Sequence, residues 1–425
     1  MYDQNGSLRF SSKPEVIASN MSQASPSSFN PRRARLYRVG IFAASLLISL
    51  TAVEAGLRII EKKGLGDRAV EQKLVPDPEL GNRLAPGTPG HDTNGYRNDS
   101  VPAQADIVAV GDSQTWGVNA DRQSTWPQQL AKLSGHSVYN MSLGGYGPVQ
   151  YWVLTQRAQK MSPRLVVVGL YLGNDLYDTY RLAYTNDNYK ELRAPNAAPD
   201  LSRDTVGPQA DFYWNEEKDF HNRFGRTSFW GLSYWTREHL AIGRLLNAAG
   251  LWPGATDVDY EIDKAWAKAY PQDGAVYEQG NARTVFTISY RLTGLNLNEP
   301  RIAEGLRISK LLLGRTQKVA DAGHARLIFV LIPTKESVYA VALKDRLSVG
   351  GTLAALLTME SRARSELISA CSEQHVECVD ALPAMSAAIA RDENIYSSTT
   401  ESHPNAKGYA IIAATVNQAI TRLGW

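Results

Sequence analysis

Ile107-Val108-Ala109-Val110-Gly111-Asp112-Ser113-Gln114-Thr115-Trp116 is the stretch on which the reading of this chain turns. The four apolar residues Ile107–Val110 read as a short strand buried on both faces, the pattern of a parallel sheet. A glycine and a serine directly after such a strand lie outside its carboxyl end, where open α/β sheets place ligands and reactive groups. A serine hydroxyl is a weak nucleophile until a histidine takes its proton and amide donors receive the resulting oxyanion. Ser113 read alone is equally a helix N-cap, a position that serine fills well.

Three later blocks supply the missing chemistry. Val138–Met141 reads as a strand and runs into the turn Ser142-Leu143-Gly144-Gly145-Tyr146-Gly147. A glycine there lets a backbone N–H approach a reacting atom with no side chain between them. The strand Leu165–Leu170 ends at Leu172-Gly173-Asn174-Asp175, where the Asn174 amide offers N–H donors. Near the C-terminus, Glu401-Ser402-His403-Pro404-Asn405 precedes a helical stretch over 406–423. Asp112 and Asp175 are assigned to local hydrogen bonding, and Gly144 and Gly147 to turn geometry.

These blocks, in this order, resemble the four signatures of the SGNH hydrolase superfamily, also called GDSL esterases and lipases. The matching positions are Gly111-Asp112-Ser113, Gly145, Asn174 and His403, and Gly145 follows Asn140 by five residues. The resemblance covers about residues 94–180 and 303–425. It implies a flavodoxin-like three-layer α/β/α fold with a parallel sheet. It also implies Ser113 as nucleophile, His403 as general base, and an oxyanion hole from the N–H groups of Ser113 and Gly145 with the Asn174 side chain. The family usually places an aspartate two or three residues before its histidine; here those positions hold Glu401 and Thr400. Glu401 is read as the orienting carboxylate, because a glutamate can hold an imidazole as an aspartate does. A Ser–His dyad oriented by a backbone carbonyl is the alternative.

The remaining sequence sets compartment and organisation. Residues 1–38 carry a net charge of +4, with Arg32, Arg33, Arg35 and Arg38 at the end, and are rich in Ser, Asn and Pro; a disordered cytoplasmic arm is expected. Residues 39–60 are apolar over about the 20 residues a membrane helix needs. The arginines on the N-terminal flank orient it with that end in the cytoplasm, so the following domain faces outward, to the periplasm in a Gram-negative cell. A cleaved signal peptide ending near Val53-Glu54-Ala55 and a buried core helix are the competing readings. Residues 61–104 form a turn-rich lead-in, and 105–425 the hydrolase-like domain.

Within that domain strands and helices alternate, which argues a parallel sheet covered on both faces. Helices are expected near 125–133, 148–160, 303–322 and 352–372, and strands at 326–332 and 376–379. The rhythm breaks at about 181–302, and residues 180–300 are about 16% aromatic against 9% overall. Trp214, Trp230, Trp235 and Trp252 are candidates for a sugar-stacking platform; the other reading makes such residues the core of an inserted subdomain. Lys335, in the turn Pro333-Thr334-Lys335-Glu336 after a strand, is either a contact for an anionic polymer or a solvent-facing lysine. A similar turn occurs in membrane-anchored relatives associated with exopolysaccharide modification. Cys371 and Cys378 flank a helix-to-strand corner and are read as a disulfide, with two free thiols as the alternative.

No metal cluster or nucleotide loop is visible, so no cofactor is expected, and the net charge of +2 argues against nucleic acid as a partner. The expectation is a serine esterase acting on O-acyl esters of a cell-surface or exported glycan. Transfer of the acyl group to a polysaccharide, or a non-catalytic glycan-binding role beside polysaccharide-assembly partners, are the rivals.

Overall fold

The computed structural model describes residues 31–62, 73–195, 201–227, 233, 235–236, 239–248, 251, 255–279, 282–344 and 351–424. The chain divides into two units, 1–56 and 57–425. The first contains most of a helix spanning Pro31–Lys62. Within it Arg35–Ile59, 25 residues with a mean hydropathy of 1.8, is long and apolar enough to cross a membrane or to act as a signal sequence. The side chains of Ile41, Phe42, Leu47 and Ile48 are two-thirds exposed or more. Of the disordered arm expected at 1–38, residues 31–38 instead begin this helix, and those before residue 31 lie outside the described residues.

The second unit is an α/β domain. Its strands in chain order are β1 Leu74–Asp77, β2 Gly81–Leu84, β3 Ile107–Gly111, β4 Val138–Ser142, β5 Leu165–Tyr171, β6 Gly274–Gln279, β7 Ala282–Thr287, β8 Arg326–Ile332 and β9 Glu377–Asp380. Five of them make one parallel sheet in the order β4-β3-β5-β8-β9. All five residues of β3 and all seven of β5 are buried, as a sheet covered on both faces demands. Helices Trp126–Ser134 and Ala406–Arg422 pack on each other, and Pro148–Ala158, Asp175–Thr185 and Pro300–Ala322 form a second packed group.

The chain adds β4 on one side of β3 and then β5, β8 and β9 on the other, so the strand order switches between β3 and β5 and a crevice opens past their carboxyl ends. Gly111 and Gly169 face each other in register there. A Cβ on Gly111 would lie 2.0 Å from the Thr115 hydroxyl, and one on Gly169 would lie 2.5 Å from it. The paired glycines therefore let the turn after β3 fold down onto the sheet.

Between β5 and β8 the chain first forms helix Asp175–Thr185, which packs with the helices covering the sheet. Beyond it come helices Val206–Thr227, Ala241–Ala248 and Ala255–Ala269, the antiparallel β6–β7 hairpin and helix Ile288–Leu295. Tyr260, Trp266, Ala267 and Val285 form a small core of their own, with Phe220, Tyr270 and Val276 packed against it. Part of the aromatic excess is thus spent on an inserted subdomain. Cys371 and Cys378 are joined by a disulfide between helix Gly351–Glu373 and β9.

Candidate active site

The turn after β3 shows why Ser113 is available for chemistry. The N-cap of helix Ser113–Trp116 is Asp112, whose Oδ1 accepts the Gln114 N–H at 2.9 Å. Ser113 is the first helical residue, and its Oγ lies 2.9 Å from His403 Nε2 and 3.2 Å from Asp112 Oδ2. Burial pushes the Asp112 carboxyl up to about 6, with the Gln114 N–H and the His403 charge pulling the other way.

On the far side of the ring, His403 Nδ1 lies 2.6 Å from Glu401 Oε1, which also accepts the His403 backbone N–H at 2.9 Å. Burial acts to raise the Glu401 carboxyl, but the hydrogen bond and charge of His403 outweigh it and hold it at about 2. The glutamate therefore reaches the position that a shorter aspartate would fill from one residue further back. Asn405 caps helix Ala406–Arg422 by accepting from Lys407 N and Gly408 N, which fixes the chain directly after the histidine.

The segment Thr399–His403 has no regular structure, so its shape depends on side chains from elsewhere. Lys335 Nζ donates to Thr399 O at 2.8 Å, Glu401 O at 3.2 Å and Val285 O at 2.8 Å. Asp263 Oδ2 accepts the Thr400 N–H at 2.7 Å, and Arg291 donates to the Ser402 hydroxyl. Neither sequence reading of Lys335 holds: the side chain is fully buried, meeting neither solvent nor a polymer. Its turn starts a helix, Lys335–Leu343, under the β6–β7 hairpin, and the ammonium serves the carbonyls that converge there. Burial lowers its pKa to about 8, against the opposing pull of Glu336 and Glu401.

The other blocks surround the same space. Gly145 has φ +78°, a left-handed conformation that costs a non-glycine residue strain. Asn174 stands at the N-cap position of helix Asp175–Thr185 without a side-chain capping bond, and its Nδ2 donates to Asp178 Oδ2 at 2.6 Å. Asp178 Oδ1 accepts from Arg181 at 2.9 Å, and Arg181 donates onward to Gly145 O at 3.2 Å. The glycine and asparagine blocks are thereby tied into one network. Asp178 is pushed up to about 6 by burial, opposed by Arg181 and Asn174. Asp175 accepts from Tyr171 N and Tyr151 OH, the local role expected for it.

Ser113, Gly145, Asn174 and His403 all line one open cleft of about 840 Å³. Trp214 lines it too, 56% exposed and 5.9 Å from the Tyr290 ring. Trp235 does not line it; that side chain stacks on His239. Trp230 and Trp252 lie outside the described residues. Sequence reasoning missed Asp178, Arg181, Asp263 and Arg291. They sit in helices, where nothing in spacing tells a cleft-facing polar residue from a solvated one.

No protein-family model matches this chain, and no curated protein does. Among solved structures, similar ones include phospholipase A1 from Streptomyces albidoflavus NA297, at 12% identity and a TM-score of 0.35 over 74% of this chain and 99% of that one. An extracellular lipase from Streptomyces rimosus gives 13% identity and a TM-score of 0.35 over 74% and 99%. A catalytic mutant of Axe2, an acetylxylan esterase from Geobacillus stearothermophilus, gives 10% identity and a TM-score of 0.32 over 75% and 95%. Likeness this distant assigns no chemistry, which stands on the geometry of the cleft.

Proposed function

We propose that this chain is a membrane-anchored serine esterase that removes O-acyl groups, acetyl foremost, from a cell-surface or exported glycan. The observation that carries the reading is the continuous line Ser113 Oγ, His403 Nε2, His403 Nδ1, Glu401 Oε1, with contacts of 2.9 and 2.6 Å at its two ends. In this reading Ser113 Oγ attacks the ester carbonyl as its proton passes to His403 Nε2. Glu401 stabilises the imidazolium that forms. The carbonyl oxygen gains negative charge and takes hydrogen bonds from the Ser113 and Gly145 N–H groups and the second Asn174 amide hydrogen. The C–O bond to the sugar breaks as His403 returns its proton to the leaving oxygen. Water, deprotonated by the same histidine, then releases the acyl group from Ser113.

Three features favour a small acyl group on a large alcohol. The cleft is open, with a volume of about 840 Å³. Trp214 and Tyr290 offer aromatic faces at its wall, suited to stacking on the apolar side of a pyranose. The N-terminal apolar helix with its arginine flank, in this reading a signal-anchor, would hold the domain outside the cytoplasm beside such a glycan.

The test uses the full chain in detergent micelles with p-nitrophenyl acetate, then with an acetylated oligosaccharide. Ser113→Ala should abolish release of acetate; a wild-type rate no better than the variant's removes the enzymatic reading in favour of a glycan-binding one. Acetylated acceptor sugar found by mass spectrometry, in place of free acetate, would make the protein an acyltransferase. Carbonate-washed membranes should retain the chain at full mass; a soluble form beginning near residue 56 would show a cleaved signal instead.

A further inference from the structure

One wall of the cleft has a composition that the ester chemistry does not use. Helix Val206–Thr227 places Glu217 and His221 four residues apart, hence on one face. Helix Ala255–Ala269 brings Asp263 against them. One carboxylate oxygen from each acid and one ring nitrogen of the histidine lie within 4.8 Å of one another. Asp263 is 1% exposed, and its two oxygens are treated differently. Oδ2 accepts from the Thr400 N–H and hydroxyl. Oδ1 accepts no hydrogen bond, although it sits 2.6 Å from His221 Nε2. The two atoms face each other as a close pair without hydrogen-bond alignment, and a cation held between them would satisfy both.

The charge around it indicates which sign of partner. The described residues that line the cleft include six carboxylates and two arginines. Arg181 is paired with Asp178, and Glu401 with His403. On this wall three carboxylates, Glu217, Asp259 and Asp263, surround the single imidazole of His221, and acidic groups in that ratio draw cations.

We propose that Glu217, His221 and Asp263 bind a divalent cation of the zinc or manganese type in the wall of this cleft. One imidazole nitrogen and two carboxylate oxygens are a donor set for such ions, and three protein ligands leave at least one position open to the cleft. With metal–ligand bonds of about 2.0–2.1 Å, tetrahedral geometry separates two ligands by about 3.3 Å. Binding therefore moves His221 Nε2 and Asp263 Oδ1 apart by less than 1 Å from their present 2.6 Å. The ion pins Asp263, and through Oδ2 it pins Thr400, the residue next to Glu401. Its part is positioning: it steadies the histidine-bearing segment and offers a substrate hydroxyl or water a ligand position.

The full chain in micelles, stripped with a chelator, is titrated with Zn²⁺ and with Mn²⁺ by calorimetry and elemental analysis after dialysis. One equivalent should bind, with affinity falling at least about 100-fold in His221→Ala and in the isosteric Glu217→Gln, and unchanged in Ser113→Ala. Stoichiometry near zero for both ions overturns the site, as does equal affinity in wild type and Glu217→Gln. Because the readout is metal bound, an inactive esterase with a bound ion and an active one without would separate this inference from the esterase reading.

Discussion

Glu401→Gln tests whether the carboxylate two residues before His403 orients the ring. The substitution keeps an oxygen near His403 Nδ1 but removes the charge that now faces it at 2.6 Å. In other triads, replacing the orienting carboxylate by its amide costs about 10⁴ in kcat, because the imidazole settles in the wrong tautomer. Those carboxylates are buried, whereas the Glu401 side chain is 36% exposed, so water screens part of the effect. An ion pair near 4 Å is worth about 1 kcal/mol in water and about 4 kcal/mol at the effective dielectric of a protein surface. Taking about 3 kcal/mol for this half-screened pair gives a fall of about 150-fold in kcat. The assay is p-nitrophenyl acetate hydrolysis at pH 7, with a melting curve to verify folding. A fall below about fivefold with unchanged melting would refute the assignment and favour a ring held by a backbone carbonyl.

Lys335→Met should lower the melting temperature by about 5 °C, since one buried and two part-buried carbonyl oxygens lose their donor and removal of the buried charge offsets only part of that; no change on thermal scanning would count against the anchoring role. Asp112 and Asp178 have folded pKa values near 6, above the unfolded value of about 3.9, so each favours the fold fully below pH 4 and loses that contribution as pH rises to about 6. Melting temperature should accordingly fall less between pH 4 and 6.5 in Asp112→Asn than in wild type, and parallel curves would refute the shift. Replacing both Cys371 and Cys378 by serine opens a bridge across a separation of 7 residues, which should cost about 2.5 kcal/mol by loop entropy. Urea unfolding measures this, and a cost under about 0.5 kcal/mol would show the corner held by packing alone.

The sheet was legible because parallel strands covered on both faces run nearly continuously apolar, as β3 and β5 do. Arg326–Ile332 occupies the residues expected of it, and β3, β4 and β5 each run one residue beyond theirs. The blocks that follow three of these strands converge because strands running the same way leave their carboxyl ends on one edge. What could not be read is what depends on distant pairing. Lys335 sits in a turn and looks solvated until the β6–β7 hairpin covers it. Asp263 meets Thr400 across 137 residues, a contact that no periodicity encodes. Trp214 and Trp235 share a composition signal, yet only the first lines the cleft, while the second, also exposed, stacks on His239 one helical turn away. The reach of Glu401 to the histidine ring likewise depends on how three side chains bend an irregular segment.

The most direct measurement is where a covalent probe lands. Full-length protein treated with a fluorophosphonate, then digested and examined by mass spectrometry, should carry one adduct, on Ser113. Labelling should slow by at least about 100-fold in His403→Ala, whose missing imidazole leaves the hydroxyl without the base now 2.9 Å away. An adduct elsewhere, or labelling of Ser113 at the same rate without the histidine, would contradict the account.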